Sequence, residues 1–238
     1  MQSARITISG RERTYSLFVP PGYDAKLAYP VVVVLHGDGG TGAQIRSSFA
    51  LEAAAHEGAI FLYPDGLNHT WKQADRPESN EDFFFFDGVV ARTMESYRVD
   101  PRRVFVTGFS SGAYMANQLG CYRGGSIRAI APMSGGGPYD AAGGHYDAEG
   151  HLTCNGKAVA AMMIHGDIDG VVGWNEGQKS LSHWSWANQC GAFPSDGADP
   201  CRSAACSQPV MFCTVRGKGH QIWVEAPARV WQFFGGFR

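Results

Sequence analysis

Val31-Val32-Val33-Val34-Leu35 is the stretch that most limits what this chain can fold into. Side chains alternate between the two faces of a strand, so an unbroken apolar run needs cover on both faces. That is the position of an inner strand in a parallel sheet flanked by helices. Ala59-Ile60-Phe61-Leu62-Tyr63, residues 127–133, Ala158 to Ile164 and residues 210–215 repeat the pattern, with helix-periodic segments between them. Strands alternating with helices predict an α/β chain with a mainly parallel central sheet and helices on both faces. Residues 4–9 and 13–19 differ. They alternate apolar and polar side chains around Gly10-Arg11-Glu12 and predict an antiparallel N-terminal hairpin. With 238 residues, 44% hydrophobic content and no linker-like stretch, the expectation is one catalytic-size domain over 1–238.

Helices are expected over 44–57, with Ile45, Phe49, Ala53 and His56 on one side, and over 81–97, with Phe83, Phe86, Val90, Met94 and Tyr97 as the buried stripe. Ser79-Asn80-Glu81-Asp82 resembles a capping box for the second of these. Phe84 and Phe85 are surplus to the stripe and face either the core or a substrate groove. Further helices are read after Gly112, over 176–190 and over 227–234, with a Cys- and Pro-rich loop before the last strand.

The chemistry concentrates at strand ends. Val104-Phe105-Val106-Thr107-Gly108-Phe109-Ser110-Ser111-Gly112 reads as strand, tight turn and helix start, with a G-x-S-x-G pattern in the turn. Such a turn strains the central serine and exposes its Oγ above the sheet, making Ser110 a candidate nucleophile. His36-Gly37-Asp38-Gly39-Gly40 closes the Val31–Leu35 strand and offers backbone N–H groups for an oxyanion hole. The Gly37 to Gly39 loop, centred on Asp38, and the N–H of Ser111 are the expected donors. A phosphate cradle is disfavoured because the loop has neither a P-loop Lys-Ser/Thr nor G-x-G-x-x-G spacing. His165-Gly166-Asp167-Ile168-Asp169-Gly170 ends another strand, so either Asp167 or Asp169 supplies an acid. It fails as a calcium loop because Val171 stands at the next ligand position. Gly219-His220 follows the last strand, and the order Ser, Asp, His is that of an acyl-transfer triad.

Other chemistries find less support. A net charge of −2 without Lys/Arg runs argues against nucleic acid or an anionic membrane as partner, and no apolar run approaches a membrane span. His145, Asp147, Glu149, His151 and Cys154 share the Gly-rich loop 134–156, but their spacing fits no metal-ligand set, and neither metal nor cofactor is expected. The six cysteines form no C-x-x-C pair, so disulfides and an oxidising compartment are the expectation. Secretion then implies a leader removed ahead of Met1.

Taken together, Arg13-Thr-Tyr-Ser-Leu-Phe-Val-Pro20, His36-Gly37, Tyr63-Pro-Asp-Gly66, Tyr97-Arg-Val-Asp-Pro-Arg-Arg-Val104, the serine turn, His165-Gly166-x-x-Asp169-x-x-Val172 and Gly219-His220 carry a resemblance. The chain resembles the polyhydroxybutyrate-depolymerase-like esterases, an α/β-hydrolase branch that includes secreted feruloyl and acetylxylan esterases of carbohydrate esterase family one. The resemblance implies an α/β-hydrolase fold, a Ser110–His220–Asp169 triad and cofactor-free ester hydrolysis through an acyl-enzyme. It also implies bridges Cys121–Cys154, Cys190–Cys213 and Cys201–Cys206. Ala113 stands where a second Gly often follows the turn, and the helix after residue 81 is unusually Phe-rich. Feruloyl or acetyl esters of plant cell-wall polysaccharide are the expected substrates, with Trp71, Trp174 and Trp223 as exposed rings for a sugar or phenolic ring. A short-chain polyhydroxyalkanoate is the second substrate expectation, and a silent binding scaffold of the same fold is the alternative of another class.

Overall fold

The computed structural model describes residues 2–56, 58–154, 156–195 and 197–237. Its sheet begins with the hairpin β1 (Gln2–Ile8) and β2 (Arg11–Phe18), paired antiparallel from Gln2↔Leu17 to Ile8↔Arg11. Then come β3 (Tyr29–Leu35), β4 (Ile60–Pro64), β5 (Val99–Phe109), β6 (Ala129–Met133), β7 (Ala160–Gly166), β8 (Cys201–Ala204) and β9 (Val210–Val215). The order is β1-β2-β4-β3-β5-β6-β7-β9-β8. Strands β4, β3, β5, β6, β7 and β9 run parallel, while the β2·β4 and β8·β9 pairs are antiparallel.

The valine run explains the two layers. Val31, Val33 and Leu35 enter one core, and Val32 and Val34 enter the other. The first core is closed by α3 (Glu81–Ser96), α4 (Ser111–Tyr122) and α5 (Trp174–Ala187). The second is closed by α1 (Gly42–Phe49), α2 (Leu51–Ala55) and α6 (Ala226–Gly235). All five side chains of Val31–Leu35 are at most 2% exposed, which stabilises the fold by about 1.5–3 kcal/mol for each.

Several local expectations are corrected. The helix over 44–57 is broken at Ala50, which adopts φ 47°, ψ 36°. The break rotates the second half so that Leu51 and Ala55 are buried while Ala53 and His56 are exposed; residue 57 lies outside the described residues. In α3 the buried face is Asp82, Phe83, Phe85, Phe86, Val89, Val90 and Thr93, and Met94 points outward. Phe85 is drawn inward because the Arg13 guanidinium lies 4.1 Å over its ring while donating to Asp82 at 2.7 Å. The cap is Asn80, whose side chain accepts the Asp82 N–H at 2.9 Å, rather than a Ser79 box.

Two of the three cysteine pairings also differ from those the resemblance implied. Cys121–Cys154 is joined, but the other bridges are Cys190–Cys206 and Cys201–Cys213, not Cys190–Cys213 and Cys201–Cys206. The Cys-rich segment contains the edge strand β8, and its register sets Cys201 directly opposite Cys213. That leaves Cys190 and Cys206 to close the segment at the end of α5.

Two junctions fix the loops over the sheet. Asp82 accepts the Lys72 N–H at 2.7 Å as well as Arg13, pinning residues 71–73. Asn117 Nδ2 donates to Gly136 O at 2.7 Å, and its Oδ1 accepts the indole N–H of buried Trp184 at 2.7 Å, binding α4 to α5 and to the start of the 134–156 loop.

Candidate active site

The serine turn is built by two close approaches that only glycine allows. A methyl group on Gly108 would run into the Gly112 carbonyl, and one on Gly112 into the carbonyls of Leu35 and His36. Gly112→Ala therefore overpacks the β3–α4 contact, and a loss of about 1–3 kcal/mol in chemical denaturation is expected. Between them Ser110 holds φ 57°, ψ −120°, a strained backbone for a residue with a side chain, with its N–H donating to Met133 O at 3.0 Å. Helix α4 begins at the next residue, so the Ser111 N–H belongs to the first turn, whose donors lack intrahelical acceptors.

Ser110 follows β5, Asp169 follows β7 and His220 follows β9, so three separated loops meet at the C-terminal edge of the sheet. Ser110 Oγ lies 2.9 Å from His220 Nε2, and His220 Nδ1 lies 2.8 Å from Asp169 Oδ2. An ionised carboxylate only accepts, so Nδ1 carries the imidazole proton and Nε2 is left to accept from the Ser110 hydroxyl. Asp169 is 6% exposed, and its Oδ1 accepts the N–H groups of Val171 and Val172, each at 2.9 Å. Burial alone would raise its carboxyl pKa. The hydrogen bond from His220 and the two backbone donors outweigh burial and hold it below the usual carboxylate range. Asp167, the alternative acid, instead accepts the Gly217 N–H at 2.6 Å.

The loop at residues 36–40 lies against this turn, with Gly37 next to the Ser110 Cβ. The N–H of Gly39 is committed to His69 O at 2.8 Å, and that of Gly40 to Gly37 O at 3.0 Å. Asp38 sits between Gly37 and Gly39.

Two other strand-end histidines, His36 and His165, brace these loops. His36 Nε2 accepts the Gly66 N–H at 2.9 Å while Nδ1 donates to Gly37 O at 2.7 Å. His165 Nε2 donates to Val172 O at 2.9 Å, fixing the bend that carries Asp169. Burial holds both imidazoles below the usual histidine pKa, and burial reinforced by His151 pushes His183 down to about 4. An unfolded histidine titrates near ~6.5, so the unfolded chain binds these protons first. Their contribution to stability is complete above that pH and is lost as pH falls toward the folded-state values. Melting temperature should fall as pH drops from about 6.5 toward about 4, the folded-state value of His183, and His165→Gln should flatten the drop; a flat profile for the wild type would contradict this.

The tryptophans are not the exposed rings expected. Trp71 is 5% exposed, its ring lies 4.8 Å from that of His36, and its indole N–H donates to His36 O at 2.8 Å. Trp223 is 7% exposed, and Trp174 is half-buried against Phe212 and His165. Trp71 and Trp223 are thus enclosed by the fold, and Trp174 is only partly exposed. Nor does the 134–156 loop assemble a metal site among its described residues. His145 bonds to Asp140 at 2.9 Å, and His151 stacks on Trp186 at 4.6 Å. Cys121, Cys154 and His183 come close together, but the two sulfurs are joined to each other.

Sequence reasoning missed Gln73. Its Nε2 donates to Ser111 Oγ at 2.5 Å, and its carbonyl accepts from Gln118 Nε2 at 2.7 Å. The placement depends on the Arg13–Asp82 and Lys72 contacts, which are long-range and leave no sequence pattern.

A scan against protein-family models found no match. Among curated proteins, the chain is 32% identical to a probable feruloyl esterase C of Aspergillus clavatus, over 96% of this chain and 85% of that one. It is 31% identical to the feruloyl esterase C of Emericella nidulans, over 95% and 84% respectively. The chain belongs to the feruloyl esterase C family. It is therefore a carboxylic ester hydrolase. Solved structures agree on the fold. An acetyl xylan esterase from Aspergillus awamori superposes with a TM-score of 0.78 at 17% identity, covering 99% of each chain. A ferulic acid esterase from Anaeromyces mucronatus gives 0.61 at 18%, covering 98% of this chain and 88% of that one. The esterase has the α/β-hydrolase fold that its sequence implied. No helix among its described residues is long and apolar enough to cross a membrane.

Proposed function

We propose that the esterase hydrolyses feruloyl or acetyl esters of plant cell-wall polysaccharide through an acyl-enzyme on Ser110, with 1–238 acting as one catalytic domain. The observation that carries this reading is the continuous Ser110–His220–Asp169 hydrogen-bonded relay, 2.9 Å and 2.8 Å long in its two links.

In the first half-reaction His220 Nε2 takes the Ser110 proton as Oγ attacks the ester carbonyl. The imidazolium then returns it to the leaving alcohol oxygen as the tetrahedral intermediate collapses. In the second half-reaction His220 takes a proton from water as its oxygen attacks the acyl carbon, and the imidazolium returns it to Ser110 Oγ as the Oγ–acyl bond breaks and the carboxylic acid leaves. Asp169 holds the Nδ1–H tautomer and stabilises the imidazolium formed twice per cycle. The backbone N–H groups of Ser111 and Asp38 are proposed as donors to the oxyanion. Commitment of the Gly39 N–H to His69 favours Asp38 within its loop, and each such donor contributes about 3–4 kcal/mol to the transition state. Every group that acyl transfer requires is supplied by the chain itself.

Three disulfides among the described residues support secretion, since such bridges persist in oxidising compartments. The feruloyl esterase C relatives support the acyl preference. A panel of methyl ferulate, acetylated xylan and polyhydroxybutyrate tests the substrate class: release of ferulate or acetate is expected. Turnover of polyhydroxybutyrate alone would move the esterase to the other substrate class, and no turnover of any would leave a binding scaffold.

A further inference from the structure

A cavity of about 660 Å³ opens under the 137–152 part of the Gly-rich loop, against α5 from Glu176 to His183. Its walls include Gln73, Tyr114, Tyr139, Tyr146, Glu176 and Lys179. Two of these connect it to the serine turn. Gln73 is hydrogen-bonded to Ser111 Oγ, and Tyr114 stands one helical turn below Ser110, its N–H donating to Ser110 O at 3.1 Å.

The walls are held before any ligand arrives. Gln118 Nε2 donates to the carbonyls of both Gln73 and Tyr139, at 2.7 and 2.8 Å, and the Asp140 N–H donates to Tyr146 Oη at 3.2 Å. Glu176 accepts the Tyr114 hydroxyl at 3.2 Å on Oε2 and the Lys179 ammonium at 2.5 Å on Oε1. Gly136 makes that arrangement possible, because any side chain there would strike both the Tyr114 ring and the Glu176 carboxylate.

The chemistry of this lining is that of a sugar site. Phenol rings supply flat faces for C–H edges. A carboxylate with lone pairs to spare, an ammonium and an amide supply acceptors and donors for hydroxyls on several sides. The volume falls within the range of ~300–1,000 Å³ that encloses ligands of several rings, well beyond an acetyl group. An apolar acyl chain seated here would strip water from Glu176 and Lys179 without replacing its hydrogen bonds. The exposed apolar side chains near the relay lie elsewhere: Ile168 and Val171, 66% and 75% exposed, flank Asp169 outside the cavity.

We propose that this cavity binds the alcohol half of the ester, a glycosyl residue of the polysaccharide chain, with Glu176 and the tyrosines as its specificity-determining groups. The proposal rests on the esterase reading for its place in the reaction but not for the binding itself, and the experiment separates the two.

The first measurement is the ratio of kcat/KM for a feruloylated arabinoxylo-oligosaccharide to that for methyl ferulate, which has no sugar. Glu176→Ala should lower this ratio about 10-fold or more, the effect of removing a charged hydrogen-bond partner, and Tyr139→Ala should lower it as well. Glu176→Gln, which keeps the shape and an acceptor for Tyr114, should fall between. A ratio unchanged because both substrates lose together would place the acyl chain in the cavity and overturn the proposal. The second measurement is binding of acyl-free xylotetraose to Ser110→Ala protein, followed by NMR titration and expected to weaken at least 5-fold on adding Glu176→Ala. Xylotetraose that fails to bind, or binds equally in both, also overturns it. If the wild type cleaves neither ester, the esterase reading fails, and the xylotetraose titration still decides the cavity.

Discussion

Ser110→Ala should lower kcat for ester hydrolysis by about 10⁶-fold while leaving the protein folded. The substitution removes one oxygen from a half-buried side chain at the end of β5, and the flanking contacts of Gly108 and Gly112 are backbone contacts that alanine at 110 does not disturb. Its stability effect should stay within about 0.5 kcal/mol, as for a position outside the core. A chevron or thermal melt beside the kinetic assay separates lost chemistry from lost fold. Retention of full activity would remove Ser110 from the reaction.

Asp169→Asn should cost about 10⁴-fold in kcat through the tautomer of a residue it only touches. In the wild type, Oδ1 is held by the N–H groups of Val171 and Val172, so Oδ2 is the atom facing His220. Asparagine keeps its carbonyl on those two backbone donors and turns its NH₂ toward Nδ1. The imidazole must then accept at Nδ1 and carry its proton on Nε2, where it can no longer take the Ser110 proton. A variant retaining more than a tenth of wild-type kcat would show that Asp169 does not set the tautomer, and Asp167→Asn would be the next variant to measure.

What could be read in the sequence follows from what is local. The valine run forces a doubly covered strand, and alternation at residues 4–9 and 13–19 forces a hairpin; both stand in the sheet. The serine turn was legible because its constraint is steric and falls on adjacent residues, with glycine on each side of Ser110. Asp169 and His220 were legible because each closes a strand. Long-range contacts were not legible. The pairing of Cys201 with Cys213 depends on the register of an edge strand only four residues long, which a Cys- and Pro-rich composition conceals. Phe85 was expected to be surplus because helical spacing cannot anticipate an arginine from β2 packing on its ring. Of the eight histidines, His36 and His165 also stand at strand ends, but only His220 follows the last strand within a Gly-rich loop; it faces the serine, while the other two fasten loops with both ring nitrogens or with one. Trp71 is not the exposed ring expected because its buried indole has an acceptor in the His36 carbonyl.

The central claim is that the relay activates Ser110 as a nucleophile, and a fluorophosphonate probe tests it most directly. Intact mass and peptide mapping of the folded esterase should give one adduct per chain, located on Ser110. The adduct should be absent from Ser110→Ala and form far more slowly in Asp169→Asn. A folded wild type that stays unlabelled, or that carries the adduct on another residue such as Ser111, would contradict the assignment.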